Sequence, residues 1–184
     1  MILPIVAFGS PALRRECTSI SKDYPDLEVL ISNMWETMYS AQGVGIAAPQ
    51  INKNIRLFII DTTPFAEDPE ESDNIIIKKV FINPIITEES GREWDFNEGC
   101  LSIPHIREDV SRKSSINIEY MDESFNIHKE SFSGLVARVI QHEYDHINGI
   151  LFTDKISILR KRMIKGKLQD IKNGKVDVSY KMKF

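Results

Sequence analysis

SGLVARVIQHEYDHING (133–149) is the stretch from which the rest of the chain is best read. Its apolar positions Leu135, Val136, Val139, Ile140 and Ile147 recur at helical spacing. Ser133 stands where an N-cap belongs, and Asn148-Gly149 forms a stop. On such a helix His142 and His146 stand at i and i+4, so both imidazoles leave one face a turn apart. Glu143 is turned about 100° from His142, where it serves as a base without competing as a ligand. This is the HExxH arrangement of metal-dependent hydrolases. The bland alternative is a half-buried helix carrying two unrelated histidines.

A hydrolytic site of this kind takes a third protein ligand and keeps one position open. Six residues beyond His146, where one protease class has a third histidine, the chain has Phe152, and Glu143 is its last glutamate. His105 and His128 are candidates. Cys100 is the better one, because a thiolate is a strong ligand and EGCLS (98–102) reads as a tight turn at Gly99. The alternative for Cys100 is a small buried hydrophobe.

The surrounding pattern gives an α+β fold class, with antiparallel strands packed around a central HExxH helix. An N-terminal helix precedes them, and a C-terminal helix plus strand follows. Leu27, Leu30, Ile31, Met34 and Met38 form one face of a helix within 26–41 that ends near Gly43. IRLFIID (55–61) and VFINPII (80–86) read as buried strands, while INIEYMD (116–122) and SFNIHKESF (124–132) read as an antiparallel pair. Between the first two, five carboxylates within 67–73 read as a solvated hairpin loop. Asp154 is expected to cap a third helix reaching about Ile171, and VDVSYKM (176–182) to form a last strand.

With 184 residues and 42% apolar side chains, a single domain over 1–184 is expected to bury a core without a structural metal. Two cysteines make no disulfide framework, and no run is long or apolar enough for a signal peptide or a membrane span. A cytoplasmic protein is the expectation. The net charge of −4 argues against sequence-specific nucleic-acid binding. Charge is uneven, however. Residues 155–184 carry ten Lys and Arg against two Asp, making this basic extension +8 and the remainder −12.

GVGIAAPQ (43–50) is the third unusual stretch: its glycines permit positive φ or close approach, and Gln50 both donates and accepts. Taken in order, GVGIAAPQ, EGCLS and QHEYDH (141–146) resemble the three motifs of peptide deformylase. The resemblance runs from Leu3 to about Phe152, including ILPIVAFGSPALR near the start. Two departures lie outside the motifs. The acidic segment 62–76 is longer than in the shortest members, and the final helix and strand resemble only some branches.

The resemblance implies that Cys100, His142 and His146 bind one divalent metal, Fe²⁺ in most members, with Zn²⁺, Ni²⁺ or Co²⁺ as replacements. It implies hydrolysis of the N-formyl group of the initiator methionine on nascent polypeptides, by an activated water with Glu143 as general base and acid. Gln50 and the Leu101 N–H are the implied oxyanion donors. Gly43, Val44 and Gly45 are implied to meet the substrate backbone together with Arg107. Val44, Phe96, Leu135 and Val139 are implied to wall the methionine slot. Glu98, Asp145 and Arg112 are candidates to orient the ligands. The basic extension 155–184 is a candidate ribosome contact. A zinc endopeptidase, a non-catalytic ribosome-associated metal-binding module and a hydrolase of another formyl or small amide substrate are the rival readings.

Overall fold

The computed structural model describes residues 1–67 and 76–184. Strands β2 (Gly45–Ala47), β3 (Leu57–Asp61), β4 (Lys78–Cys100), β5 (Ile103–Met121) and β6 (Ile127–Ser133) form an antiparallel sheet in that spatial order. Helix α1 (Leu27–Ser40) lies before the sheet strands in sequence, and α2 (Gly134–Ile147) and α3 (Ile158–Lys172) after them. A second, two-stranded parallel pair joins β1 (Ile5–Val6) to β7 (Met182–Lys183).

The sheet is covered on both faces where β3 and β4 begin. Leu57, Ile59, Val80 and Ile82 pack toward the α1 side chains Leu30, Ile31, Met34 and Met38. Their neighbours Phe58, Ile60 and Phe81 point the other way, into a cluster with Val136, Val139 and Ile140 of α2. Burial on both faces is why LFIID is continuously apolar rather than alternating. The phenyl rings of Phe58 and Phe81 stack at 4.8 Å across the strand pair, and Tyr120 of β5 adds a third ring at 4.3 Å from Phe81. A third cluster unites Val6, Leu13, Ile103, Val110 and Phe152 with Ile164 and Ile171 of α3.

Several local expectations hold and others shift. The β5–β6 pair is antiparallel as expected, in a register that runs from Ser115 opposite Ser133 to Met121 opposite Ile127. Strands β4 and β5 extend much further, forming a ribbon that is mostly exposed along 87–97 of β4, buries Ile103, Ile106 and Val110 of β5, and turns between Cys100 and Ile103. Ser133 occupies the N-cap position of α2 but makes no side-chain capping bond; Asn148 and Gly149 (φ +72°) end the helix. Asp154 does not cap α3. It belongs to the preceding turn, where it accepts from Leu151 N and pairs with Arg14, and Ser157 caps α3 through Arg160 N instead. Of VDVSYKM, only Met182 is in β7. The acidic hairpin expected within 62–76 falls, over 68–75, outside the described residues. Among the described residues no helix is long and apolar enough to cross a membrane.

Phe81 sits wholly buried where β4, β3, β5 and β6 side chains converge. Phe81→Ala is expected to lower unfolding stability by about 3–5 kcal/mol, measured by urea denaturation.

Candidate metal centre

Helix α2 delivers Arg138, Val139, His142 and Glu143 to one cavity of about 430 Å³, with His146 buried one turn on from His142. The turn between β4 and β5 delivers Cys100 and Leu101 to the same cavity. The ligand atoms of Cys100, His142 and His146 all lie within 4.8 Å of one another, and Cys100 Sγ stands 3.2 Å from His146 Nε2. His128 is elsewhere, bonded to Asp122 at 2.8 Å, and the ring of His105 donates to the carbonyl of Asp177. Geometry therefore groups Cys100, and neither other histidine, with the HExxH pair.

One thiol and two imidazoles form a donor set suited to a divalent transition metal. The set is already oriented for one. Glu98 Oε2 accepts from His142 Nδ1 at 2.9 Å, which leaves Nε2 as the nitrogen free to ligate. Glu98 also accepts Arg112 through two bonds, 2.6 and 2.9 Å, and Arg138 Nη1 at 3.0 Å. Arg112 reaches on to Asp145 Oδ2 at 2.7 Å. All four charged residues are buried. Burial opposes the charge on Glu98, but Arg112 and His142 outweigh it and hold the carboxyl well below the usual range. For His142 burial again opposes charge, yet its contacts with Cys100 and Glu98 prevail and its pKa is raised; burial keeps His146 well below its ordinary value.

Glu143 is 4% exposed, and its Oε2 has no partner among the described residues. Burial pushes its carboxyl up to about 7. A Cβ on Gly45 would meet Glu143 Oε1 at 2.6 Å, so glycine there leaves the room this carboxylate uses. A Cβ on Gly43 would strike Leu101 Cδ1 at 2.8 Å. Both glycines serve close approach; neither has positive φ. Gln50 lies in the short turn of helix after β2 and is fixed by that strand's last residue, because Ala47 N donates to its Oε1 at 2.8 Å. Its Nε2 consequently faces Ser102 Oγ at 3.3 Å and Cys100 Sγ at 3.5 Å.

Gly43, Val44, Gly45, Phe96, Arg107 and Val139 all line the cavity. Arg107 is tied to Asn97 through Nε and Nη2. Leu135 does not line it. It is buried one turn before Val139, past the end of the cavity. Three contributions carried no local sequence signal. These are Ser102 beside Gln50, Arg138 on Glu98, and the tail residues Val178, Ser179 and Tyr180 in the cavity wall. Burial pushes the Tyr180 phenol up to about 12, with Cys100 adding to the shift, so its hydroxyl remains the donor to Leu101 O at 2.7 Å.

The polypeptide deformylase family model matches residues 2–162. The chain belongs to that family. It is 59% identical to the peptide deformylase of Christiangramia forsetii, over all of this chain and 96% of the relative. It is 49% identical to that of Cytophaga hutchinsonii, over 100% of this chain and 98% of the relative. Among solved structures, a peptide deformylase from Legionella pneumophila superposes with a TM-score of 0.80 at 34% identity, covering 95% of this chain and 98% of the other. One from Plasmodium falciparum gives 0.82 at 32% identity, covering 92% and 95%. A deformylase is a hydrolase and a metalloenzyme, acting in general terms on formyl-methionyl nascent peptides, and the Cys100–His142–His146 group is the set that fits a metal here.

Two measurements probe this electrostatics. Glu98→Gln leaves Arg112 and Arg138 short of a buried counter-charge. It is expected to cost about 3–5 kcal/mol in urea melts. The same change should weaken metal affinity about 10–100-fold in a chelator competition. For Glu143, whose folded pKa of about 7 exceeds its ordinary 4.5, the folded metal-free chain keeps a proton that the unfolded chain has released. Its contribution to stability is therefore full below pH 4.5 and is lost as pH rises through 7. Glu143→Gln should be clearly more stable than the parent at pH 8, and by a much smaller margin at pH 5, in urea melts of metal-free protein.

Proposed function

We propose that this chain removes the N-formyl group from the initiator methionine of nascent polypeptides, giving formate and a free amino terminus. The observation that carries the proposal is the convergence of the Cys100–His142–His146 ligand atoms with the Glu143 carboxylate and the Gln50 amide on one cavity. Cys100, His142 and His146 would hold one divalent metal, Fe²⁺ in this reading with Zn²⁺, Ni²⁺ or Co²⁺ as substitutes. When bound it supplies Lewis-acid activation of water and polarisation of the formyl oxygen.

The chain's own residues account for the remaining steps. Glu143, poised near neutrality by burial, takes a proton from the attacking water and returns it to the amide nitrogen as the C–N bond breaks. The base thus ends as it began. Charge developing on the formyl oxygen needs donors already in place. Gln50 Nε2 is one, because its oxygen is committed to Ala47, and the Leu101 N–H in the adjoining turn is the second. Glu98 keeps His142 in the ligating tautomer.

Strand β2 lies at the edge of the sheet, and Gly43, Val44 and Gly45 line the cavity, so the substrate backbone joins 43–46 as an added strand with Arg107 opposite. Val44, Phe96 and Val139 then supply the apolar slot for the methionine side chain. The carboxylate packed on Gly45 restricts the acyl site to a group as small as formyl. In this reading residues 1–184 act as one catalytic unit in the cytoplasm. Exposed cations of α3, among them Lys161, Arg162, Lys165 and Lys167, supply a ribosome-facing surface.

Protein loaded with Fe²⁺ without oxygen should release formate rapidly from a formyl-Met peptide and leave an acetyl-Met peptide intact. Glu143→Ala should release almost none, and Gln50→Ala should lose about 10²–10³ in kcat. No formate from folded, metal-loaded parent, or comparable cleavage of the acetyl peptide, overturns the reading.

A further inference from the structure

The tail that follows α3 returns to the cavity and places a hydroxyl against the turn carrying Cys100. Three independent contacts hold it. Ile5 N donates to Lys181 O at 2.9 Å, Ala7 N donates to Lys183 O at 2.8 Å, and the His105 ring donates to Asp177 O at 2.7 Å. Between these anchors Tyr180 is partly buried against the α1-side core and donates to Leu101 O at 2.7 Å. The Leu101 carbonyl thus has a side-chain partner 79 residues away in sequence. Phe8 N donates to Ser102 O at 2.8 Å, so successive carbonyls of this turn are pinned by the two ends of the chain.

We propose that Tyr180 is a positioning residue for deformylation, holding the Leu101 segment so that its N–H keeps its aim at the developing oxyanion. This rests on the deformylase reading above. The bonded carbonyl belongs to the Leu101–Ser102 peptide and the N–H to the Cys100–Leu101 peptide, so the bond acts by fixing the Leu101 Cα that joins them, in a turn of two residues with few internal bonds of its own. An oxyanion donor misaligned by a fraction of an ångström loses most of its advantage in the transition state while leaving substrate binding nearly unchanged. Among the described residues the Tyr180 hydroxyl has one hydrogen bond, to Leu101 O, and none to Cys100, His142 or His146.

The test is Tyr180→Phe in the full chain, which keeps the ring and deletes the bond. Formate release from a formyl-Met-Ala peptide is followed in the metal-loaded parent and variant. Thermal melting, metal content and amide hydrogen exchange of residues 100–103 are measured beside it. The expected result is a kcat lower by about tenfold with KM within about twofold. Melting temperature and metal content should be unchanged, and exchange at 100–103 faster. An unchanged kcat, or unchanged exchange in that turn, overturns the proposal. So does a loss of activity that tracks lost metal or lowered melting. Parent protein that releases no formate overturns the deformylase reading and the proposal with it, whereas active parent with an equally active variant overturns the proposal alone.

Discussion

Everything at this centre depends on the buried carboxylate of Glu98 finding four hydrogen bonds. Its two oxygens receive Arg112 from β5 and both Arg138 and His142 from α2, while Asp145 accepts the remaining arm of Arg112. Taking four ions out of water costs several kcal/mol each before any attraction is counted, so the cluster is a poor way to add stability. What it achieves is register. The ligands come from two elements far apart in sequence, a strand end and a helix, and the cluster bonds those elements to each other. Cys100 is two residues from Glu98, and His142 is four from Arg138. The donor set is thereby assembled by protein contacts alone, and a metal entering it has little ordering left to do.

The apolar layers beside the cluster hold the helix that carries half of it. Strands β3 and β4 are buried on one side by α1 and on the other by α2, so α2 is held along its length by Phe58, Phe81 and their neighbours. A helix fixed by packing presents His142, Glu143 and His146 at set angles. The strain of burying Glu143 is then absorbed as a raised pKa rather than as movement. The same rigidity would suit the carboxylate to the proposed role of a base near neutral pH.

Local periodicity made much of this legible in advance. Helix α2, both histidines and Glu143 follow from spacing alone, because a helical face is set by neighbours three and four residues apart. Leu57–Asp61 is legible as a strand because it is a short, continuous apolar run. The long β4–β5 ribbon was not, since EESGREWDF (88–96) alternates no apolar face and is stabilised by pairing with a distant partner. The shift of the α3 cap from Asp154 to Ser157 has a similar origin: Arg14, distant in sequence, claims Asp154. Leu135 has the right period and the wrong turn of the helix. Arg138 and Tyr180 were invisible because their partners, Glu98 and Leu101, lie 40 and 79 residues away.

The glycines bring the argument to selectivity. Gly45 belongs to β2, Glu143 to α2, and less than a side chain's width separates them. Any residue with a Cβ at 45 would push the carboxylate off its position. In the proposed reaction, this one close approach between strand and helix would both aim Glu143 as the base and limit the acyl group to one as small as formyl. On that reading, an enlarged acyl site would require moving the base, and so would sacrifice the geometry it was meant to extend.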